Sequence, residues 1–366
     1  MAAPTVAKSP PELVPPAGPT PGGVLPLSSI DKTAAVRVSV DFIRVFPPSS
    51  DRGGDDQVAT MRQGFARALV PYYPVAGRIA EPSPGDLVVD CTGEGVWFVE
   101  ATASCSLADV NGLERPLLIP KAELIPRPPP RGEARGPHPH GAGHEIHFLQ
   151  AAGELARGFP APSVAPVWDR ETIPDPPKLP RGPPPSFTAF SFVTQVVEIS
   201  PESILRIKDE FKAATGETWS TFDAVTAVVF KCRALAVELA DAAEVRLGFA
   251  ASTRHLLQGV LPSVDGYYGN CVYPVGITRS SKTIREAPLP EVVGVMREAK
   301  EAFKVRFTDW MHGGAKDDHY NVPLDYGTVT VSDWSRVGFN EVDYGFGEPG
   351  HVFTLNDDVN IVASVI

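Results

Sequence analysis

Apolar and polar positions alternate in some stretches of this 366-residue chain and recur at helical spacing in others. VRVSVDFIRVF (Val36–Phe46) alternates every second residue, which predicts a strand. In QVATMRQGFARALVPYYP, the residues Val58, Met61, Phe65 and Leu69 fall on one helical face, and Pro71 stops the helix. LVVDCTGEGVWFVEA (Leu87–Ala101) predicts two strands around a Gly-Glu-Gly turn, a hairpin. HFLQAAGELARG (His147–Gly158) predicts a short helix closed by Gly158. FTAFSFVTQVVEIS (Phe187–Ser200) predicts a strand. Ser200 then caps a helix with Pro201 at its first position, striped by Ile204, Ile207 and Phe211 and ended by Gly216. STFDAVTAVVF opens a second helix, with Ser220 or Thr221 as the cap. RLGFAAS, GTVTVSDW and NIVASVI are later strands. No internal repeat occurs, and the alternation of strands and helices predicts an α/β or α+β chain with mixed sheets.

Three stretches break the pattern. The first 23 residues are rich in Pro and Gly and predict a loose or draped arm. Pro126 to Gly143 holds no Val, Ile, Leu, Met, Phe, Trp, Tyr or Cys. Such a segment has no apolar area to offset its ordering entropy, and irregular structure is expected over 126–147. ETIPDPPKLPRGPPPSF (171–187) reads as a stiff extended connector. A domain over 1–170 and another over 188–366 are expected on either side of it.

Net charge −11 and the absence of a basic patch exclude nucleic acid as an expected partner. Cys91, Cys105, Cys232 and Cys271 form no C-x-x-C motif and fit thiols in a reducing cytosol. The N-terminal stretch lacks the apolar core of a signal peptide, and no apolar run approaches the roughly 18 residues of a membrane span.

Six stretches, in order, resemble the plant BAHD acyl-CoA-dependent acyltransferases. They are LSSIDKTAAVRVSVDFIRVF, YYPVAGRI, CTGEGVWFVEA, STFDAVTAVVFKCRA, TRHLLQ with GYYGNC, and VSDWSRVGFNEVDYGFGEPGHV. Within the last, Asp343-Tyr344-Gly345-Phe346-Gly347 matches the family's D-F-G-W-G signature. The resemblance is nearest to hydroxycinnamoyl- and benzoyl-transferring members of plant secondary or cell-wall metabolism. It implies an α/β fold of two chloramphenicol-acetyltransferase-like domains, with a solvent channel through the domain interface. It implies acyl-CoA as co-substrate, a small alcohol or amine acceptor, and no metal or bound cofactor. A cytoplasmic monomer is implied, with no membrane or nucleic-acid partner. Ser332 and Trp334 match positions lining the acceptor pocket, although ordinary strand core explains them equally. Ser220 and Thr221 are expected first as helix caps and also near the pantetheine of acyl-CoA. Asp343 is expected to pair with Arg254, and the signature glycines to permit a tight turn. NIVASVI ends the chain where family members carry a further hydrophobic segment, so truncation is expected.

The family's general base is the His of H-x-x-x-D-G, whose neutral imidazole takes the acceptor's proton. None of the eight histidines has Asp four residues later. By the spacing to FLQAAGELARG, the family's His falls on Pro137 and its Asp on Gly141. The stretch GPHPHGAGHEIHF nevertheless holds His138, His140, His144 and His147. Three readings are open. A frameshift or misplaced splice junction in GC-rich coding DNA yields such Arg/Pro/Gly/His composition, leaving a faulty or inactive homologue that at most binds acyl-CoA or a partner. Alternatively His138, His140 or His144 serves as a shifted base, although a Gly/Pro loop holds position poorly. A histidine-loop metal site is the third reading, with spacing that fits no specific signature.

Overall fold

The structure is a computed structural model. It describes residues 4–33, 40–47, 54–83, 86–126, 142–176, 191–316, 323, 325–335, 337–355 and 362–365. The chain forms two compact units. The first comprises 1–173 together with two returning segments, 258–270 and 337–356. The second comprises 174–257, 271–336 and 357–366. A division into 1–170 and 188–366 does not contain these two returns.

In the first unit the N-terminal arm is paired rather than loose. Strand β1 (Val6–Lys8) runs antiparallel to β8 (Ala101–Ala103), and β2 (Glu12–Val14) to β7 (Val96–Phe98). A three-stranded sheet orders β3 (Val24–Pro26), β6 (Asp86–Asp90) and β5 (Arg78–Ser83). Leu27, Leu87, Val89 and Cys91 form its core, against Leu25, Tyr73 and Ile79. The expected hairpin at Leu87–Ala101 is therefore corrected. Both strands form, but β6 pairs with β3 and β5, and β7 pairs with the arm. Gly95 turns the chain between them at φ +104, with Val14 O where its Cβ would sit. That close approach brings the arm to β7 in place of β6.

Strand β4 (Phe42–Val45) is the described part of VRVSVDFIRVF, and residues 34–39 lie outside the described set. It pairs antiparallel with β12 (His351–Thr354) from the second return. Helix α1 (Gly54–Ala68) ends as predicted before Pro71, and the short α2 (Lys121–Leu124) precedes the irregular stretch. Helix α3 (Ala142–Ala156) starts five residues earlier than His147, which shortens the expected irregular run at its C-terminal side. Ile146, Phe148, Ala151, Ala152 and Leu155 are its buried positions, and Gly158 follows at φ +93.

The second unit is built on a mixed four-stranded sheet, ordered β10 (Val272–Ser280), β9 (Glu244–Ser252), β11 (Thr328–Val331) and β13 (Ala363–Val365). β9 and β10 are antiparallel, Val275 opposite Phe249 and Ile277 opposite Leu247. β11 lies parallel to both β9 and β13. Helix α4 (Pro201–Thr215) begins at Ser200, whose side chain accepts from the Ser203 N–H, and stops at left-handed Gly216. Helices α5 (Thr221–Ala236), α6 (Ser281–Glu286) and α7 (Leu289–Met311) complete the unit. Phe230, Met296, Phe303 and Phe307 are buried within it.

Among the described residues, the predicted strand over 187–200 is absent. Residues 191–200 carry no regular structure and are exposed, Val193 at 81% and Val197 at 76%. Strand propensity needs a ladder partner, and no described strand pairs with this run. Residues 177–190 of the predicted connector lie outside the described set.

Candidate functional site

The site must be assembled around helix α3, because its N-terminal flank is where the resemblance places the base. His138 and His140 lie outside the described residues. His144 is in the first turn of α3, and its side chain is outside the described part. His147 is half-buried one turn later, between buried Ile146 and Phe148. Among the described residues no group of three or more His, Cys, Asp or Glu could hold a metal ion.

Helix α3 is held by glycine on one side and by the signature loop on the other. A Cβ on Gly64 of α1 would stand 2.5 Å from the Ala152 carbonyl oxygen, so only hydrogen lets the two helices approach this closely. Gly153 faces the backbone of Asp343 in the same manner. The signature turn is closed by Asp343 itself. Its Oδ1 accepts from the N–H of Gly345 at 2.7 Å and of Gly347 at 3.0 Å, and both glycines have positive φ. Its Oδ2 meets Nη1 of Arg157, the residue that follows α3, at 3.4 Å. Gln150 Nε2 donates to Glu341 Oε2 at 3.2 Å on the same helix. Tyr344 is buried, lies edge-on to Phe46 and Phe65, and stacks with Phe346. The signature therefore forms a turn clamped onto the end of the helix. Arg157 is a cation on Asp343, and Arg254 lies in a short 3₁₀ turn of the second unit.

In the second unit Ser220, not Thr221, is the cap of α5. Its Oγ accepts from the Asp223 N–H at 3.1 Å and donates to Asp223 Oδ2 at 2.6 Å. Asp223 is buried and also bonds Lys300 of α7, whose ammonium lies over the Phe222 ring at 4.6 Å. Ser220→Ala is expected to cost about 1 kcal/mol of stability, read as a shift in chemical-denaturation midpoint. An unchanged midpoint would remove the cap from the account. Ser332 and Trp334 lie just past the end of β11, both half-buried, and the Ser332 N–H donates to Val365 O at 2.9 Å. They are thus not interior strand positions.

Among the described residues, none of the displaced acidities lies near neutrality. Burial pushes the phenols of Tyr72, Tyr73 and Tyr344 up, and pushes the Cys91 thiol up to about 11. A group that sequence reasoning missed is Arg170, 3% exposed, with Asp31 of the first unit beside it. The signal was present as Ser28-x-x-Asp31, a self-capping spacing, but nothing local points from it to Arg170.

The chain matches the Transferase family over residues 5–125 and 142–360. The match omits 126–141 and resumes where α3 begins. It is 39% identical to acyl transferase 4 of Oryza sativa subsp. japonica, covering 93% of this chain and 87% of that protein. The 389 aligned positions exceed the 366 residues present, so the alignment opens gaps in this chain. It is 31% identical to a benzyl alcohol O-benzoyltransferase of Petunia hybrida, over 94% of this chain and 82% of that one. In fold it is similar to vinorine synthase, with TM-score 0.68 at 18% identity over 96% of this chain and 88% of that chain. A Fusarium sporotrichioides TRI101 structure, complexed with coenzyme A and T-2, has TM-score 0.64 at 15% identity over 90% of this chain and 88% of that one. The chain belongs to the Transferase family, the BAHD acyl-CoA-dependent acyltransferases.

Proposed function

We propose that this fold serves acyl transfer from acyl-CoA to a small alcohol or amine, and that the chain as it stands turns over slowly for want of a base. The observation that carries the reading is the family match that breaks off at 125 and resumes at 142. The flanks, including α3 and its clamp on Asp343, are intact on both sides of the gap. In the reaction, the acceptor oxygen or nitrogen attacks the thioester carbonyl and loses its proton, while the C–S bond breaks and CoA leaves as the thiol. A general base contributes about 10²–10⁴-fold to such a step. Relatives named for benzoyl and caffeoyl transfer support an aromatic acyl donor. Ser332 and Trp334 are the residues we assign to the acceptor side, and Ser220 and Thr221 to the neighbourhood of the pantetheine. We assign the protein to the cytoplasm as a monomer.

The test uses the purified chain with coenzyme A and benzoyl-CoA. Coenzyme A is expected to raise the unfolding temperature, since a ligand at about 100 times its Kd adds about 2.7 kcal/mol to stability. Release of CoA from benzoyl-CoA with benzyl alcohol as acceptor is expected at least about 100-fold below that of the rice relative. No thermal shift at millimolar coenzyme A would overturn the acyl-CoA reading. Turnover equal to the relative would overturn the missing base, and loss of that turnover in His144→Ala would assign the base to His144.

A further inference from the structure

We propose that the cleft between α4, α5 and α7 of the second unit is a binding site for a small uncharged molecule, one that carries a hydrogen-bond-accepting oxygen on a hydrocarbon body. A ketone or an ester is the chemical class that fits.

Three helices supply apolar walls. Ile207 and Phe211 come from α4, Ala224 and Ala227 from α5, and Leu289 and Val293 from α7. The two alanines are three positions apart and so share a face of α5, where larger side chains would fill the space. Trp219, in the connection between α4 and α5, lines the same cleft. Its ring is pinned. Phe211 meets it edge-on at 4.5 Å, and the Arg297 guanidinium of α7 lies 5.8 Å from its centroid. Arg297 is in turn tied to Glu217 and Glu301. The indole Nε1 is buried and has no partner among the described residues. It is the one such atom among the described residues of the lining.

A buried donor left unpaired is costly, and a ring held between Phe211 and Arg297 cannot turn to relieve it. The acceptor has to come from a guest. The cleft encloses about 30 Å³, and about 360 Å³ when the open space at its mouth is counted. The enclosed part has room for about two water-sized groups, and a buried water needs about two to four polar partners. Water here would meet one buried donor and hydrocarbon walls. A carbonyl oxygen with its carbon matches that lining better, because one acceptor satisfies the donor and the carbon meets the walls. The rest of the molecule then lies over the mouth, against apolar side chains. The charged residues of the lining are the half-buried Lys208 and the exposed Glu210. Their opposite signs favour neither an anion nor a cation, which leaves an uncharged guest.

The experiment titrates the full-length chain with cyclohexanone and follows nuclear magnetic resonance shifts of the Trp219 indole N–H and the Ala224 and Ala227 amides. Cyclohexanone has no hydroxyl or amine, so it cannot serve as an acyl acceptor, and its binding is separate from the function proposed above. The indole resonance, assigned by its loss in Trp219→Phe, is expected to move downfield and saturate with a Kd of about 1–10 mM, in the range open to so small a ligand. Trp219→Phe keeps a ring and removes the donor, and is expected to weaken binding about three- to ten-fold at the two alanine amides. Ile207→Phe narrows the cleft from a half-buried wall and is expected to abolish the saturable shift. Cyclohexylammonium, with the same body and no acceptor, is expected to leave the indole resonance in place. An indole resonance that does not move with cyclohexanone would overturn the site, whatever the variants do. An equal shift with cyclohexylammonium, or an undiminished one in Ile207→Phe, would overturn it as well.

Discussion

Exchange of residues 126–141 for the corresponding stretch of rice acyl transferase 4 is expected to raise turnover by about 10²–10⁴-fold, the usual contribution of a general base. The size of the effect follows from what the two flanks already provide. Helix α3 is seated on α1 through Gly64 and on the signature turn through Gly153 and Arg157. A base restored before Ala142 would therefore lead directly into an element that is already fixed. The family match resumes at this residue, so no rearrangement of α3 is required. Pro137→His with Gly141→Asp alone is expected to recover little of the gain. The residues leading into the motif are also those the match omits, and catalytic groups must be held to within about 0.5 Å. Both variants are read by CoA release from benzoyl-CoA, with the unfolding temperature as control. An exchanged chain that folds, binds coenzyme A and turns over no faster would show that the defect lies elsewhere. A point-substituted chain as fast as the exchanged one would show that the residues leading into the motif are dispensable.

The features legible in the sequence are those decided within a few residues. Ser200, Pro201 and Gly216 bound α4 because a cap, a fixed φ and a left-handed φ are local properties. The same holds for Ser220 on α5 and for Gly158 after α3. What was not legible is pairing. Val96–Phe98 has the alternation of a strand, but nothing in it specifies Glu12–Val14 rather than Asp86–Asp90 as neighbour. Phe192–Ile199 has strand propensity and no ladder, since propensity alone supplies no partner. The site divides along the same line. That the glycines of DYGFG permit a tight turn could be read from the signature, whereas the contact of Asp343 with Arg157 depends on how the end of α3 meets the loop. Arg170 and Asp31 are 139 positions apart, and only folding brings them together. The absence of H-x-x-x-D was legible for a different reason, because a motif of fixed spacing can be shown absent by inspection alone.

Gly153→Ala is expected to destabilise the chain by about 1–3 kcal/mol, and the sign is what makes it decisive. In an open helix interior this substitution stabilises by about 0.5–1 kcal/mol, because alanine has the higher helix propensity and restricts the unfolded chain. At Gly153 the new Cβ meets the Asp343 carbonyl oxygen, with the Asp343 carbonyl carbon at 3.1 Å behind it. Backbone cannot rotate aside as a flexible side chain can, so either α3 or the signature turn must move. The turn is the weaker of the two, since Asp343 holds it through two N–H bonds and one ion pair at 3.4 Å. Gly294 in α7 supplies the control, because a Cβ there meets nothing within 4 Å. Gly294→Ala should raise the unfolding free energy by about 0.5–1 kcal/mol while Gly153→Ala lowers it. Hydrogen exchange at Gly345 and Gly347 separates the two ways in which Gly153→Ala can act. Faster exchange there places the strain in the signature turn, and unchanged exchange places it in α3. If Gly153→Ala stabilises the protein as Gly294→Ala does, the helix and the signature turn are not in the contact described, and the support argued for a restored base is lost with it.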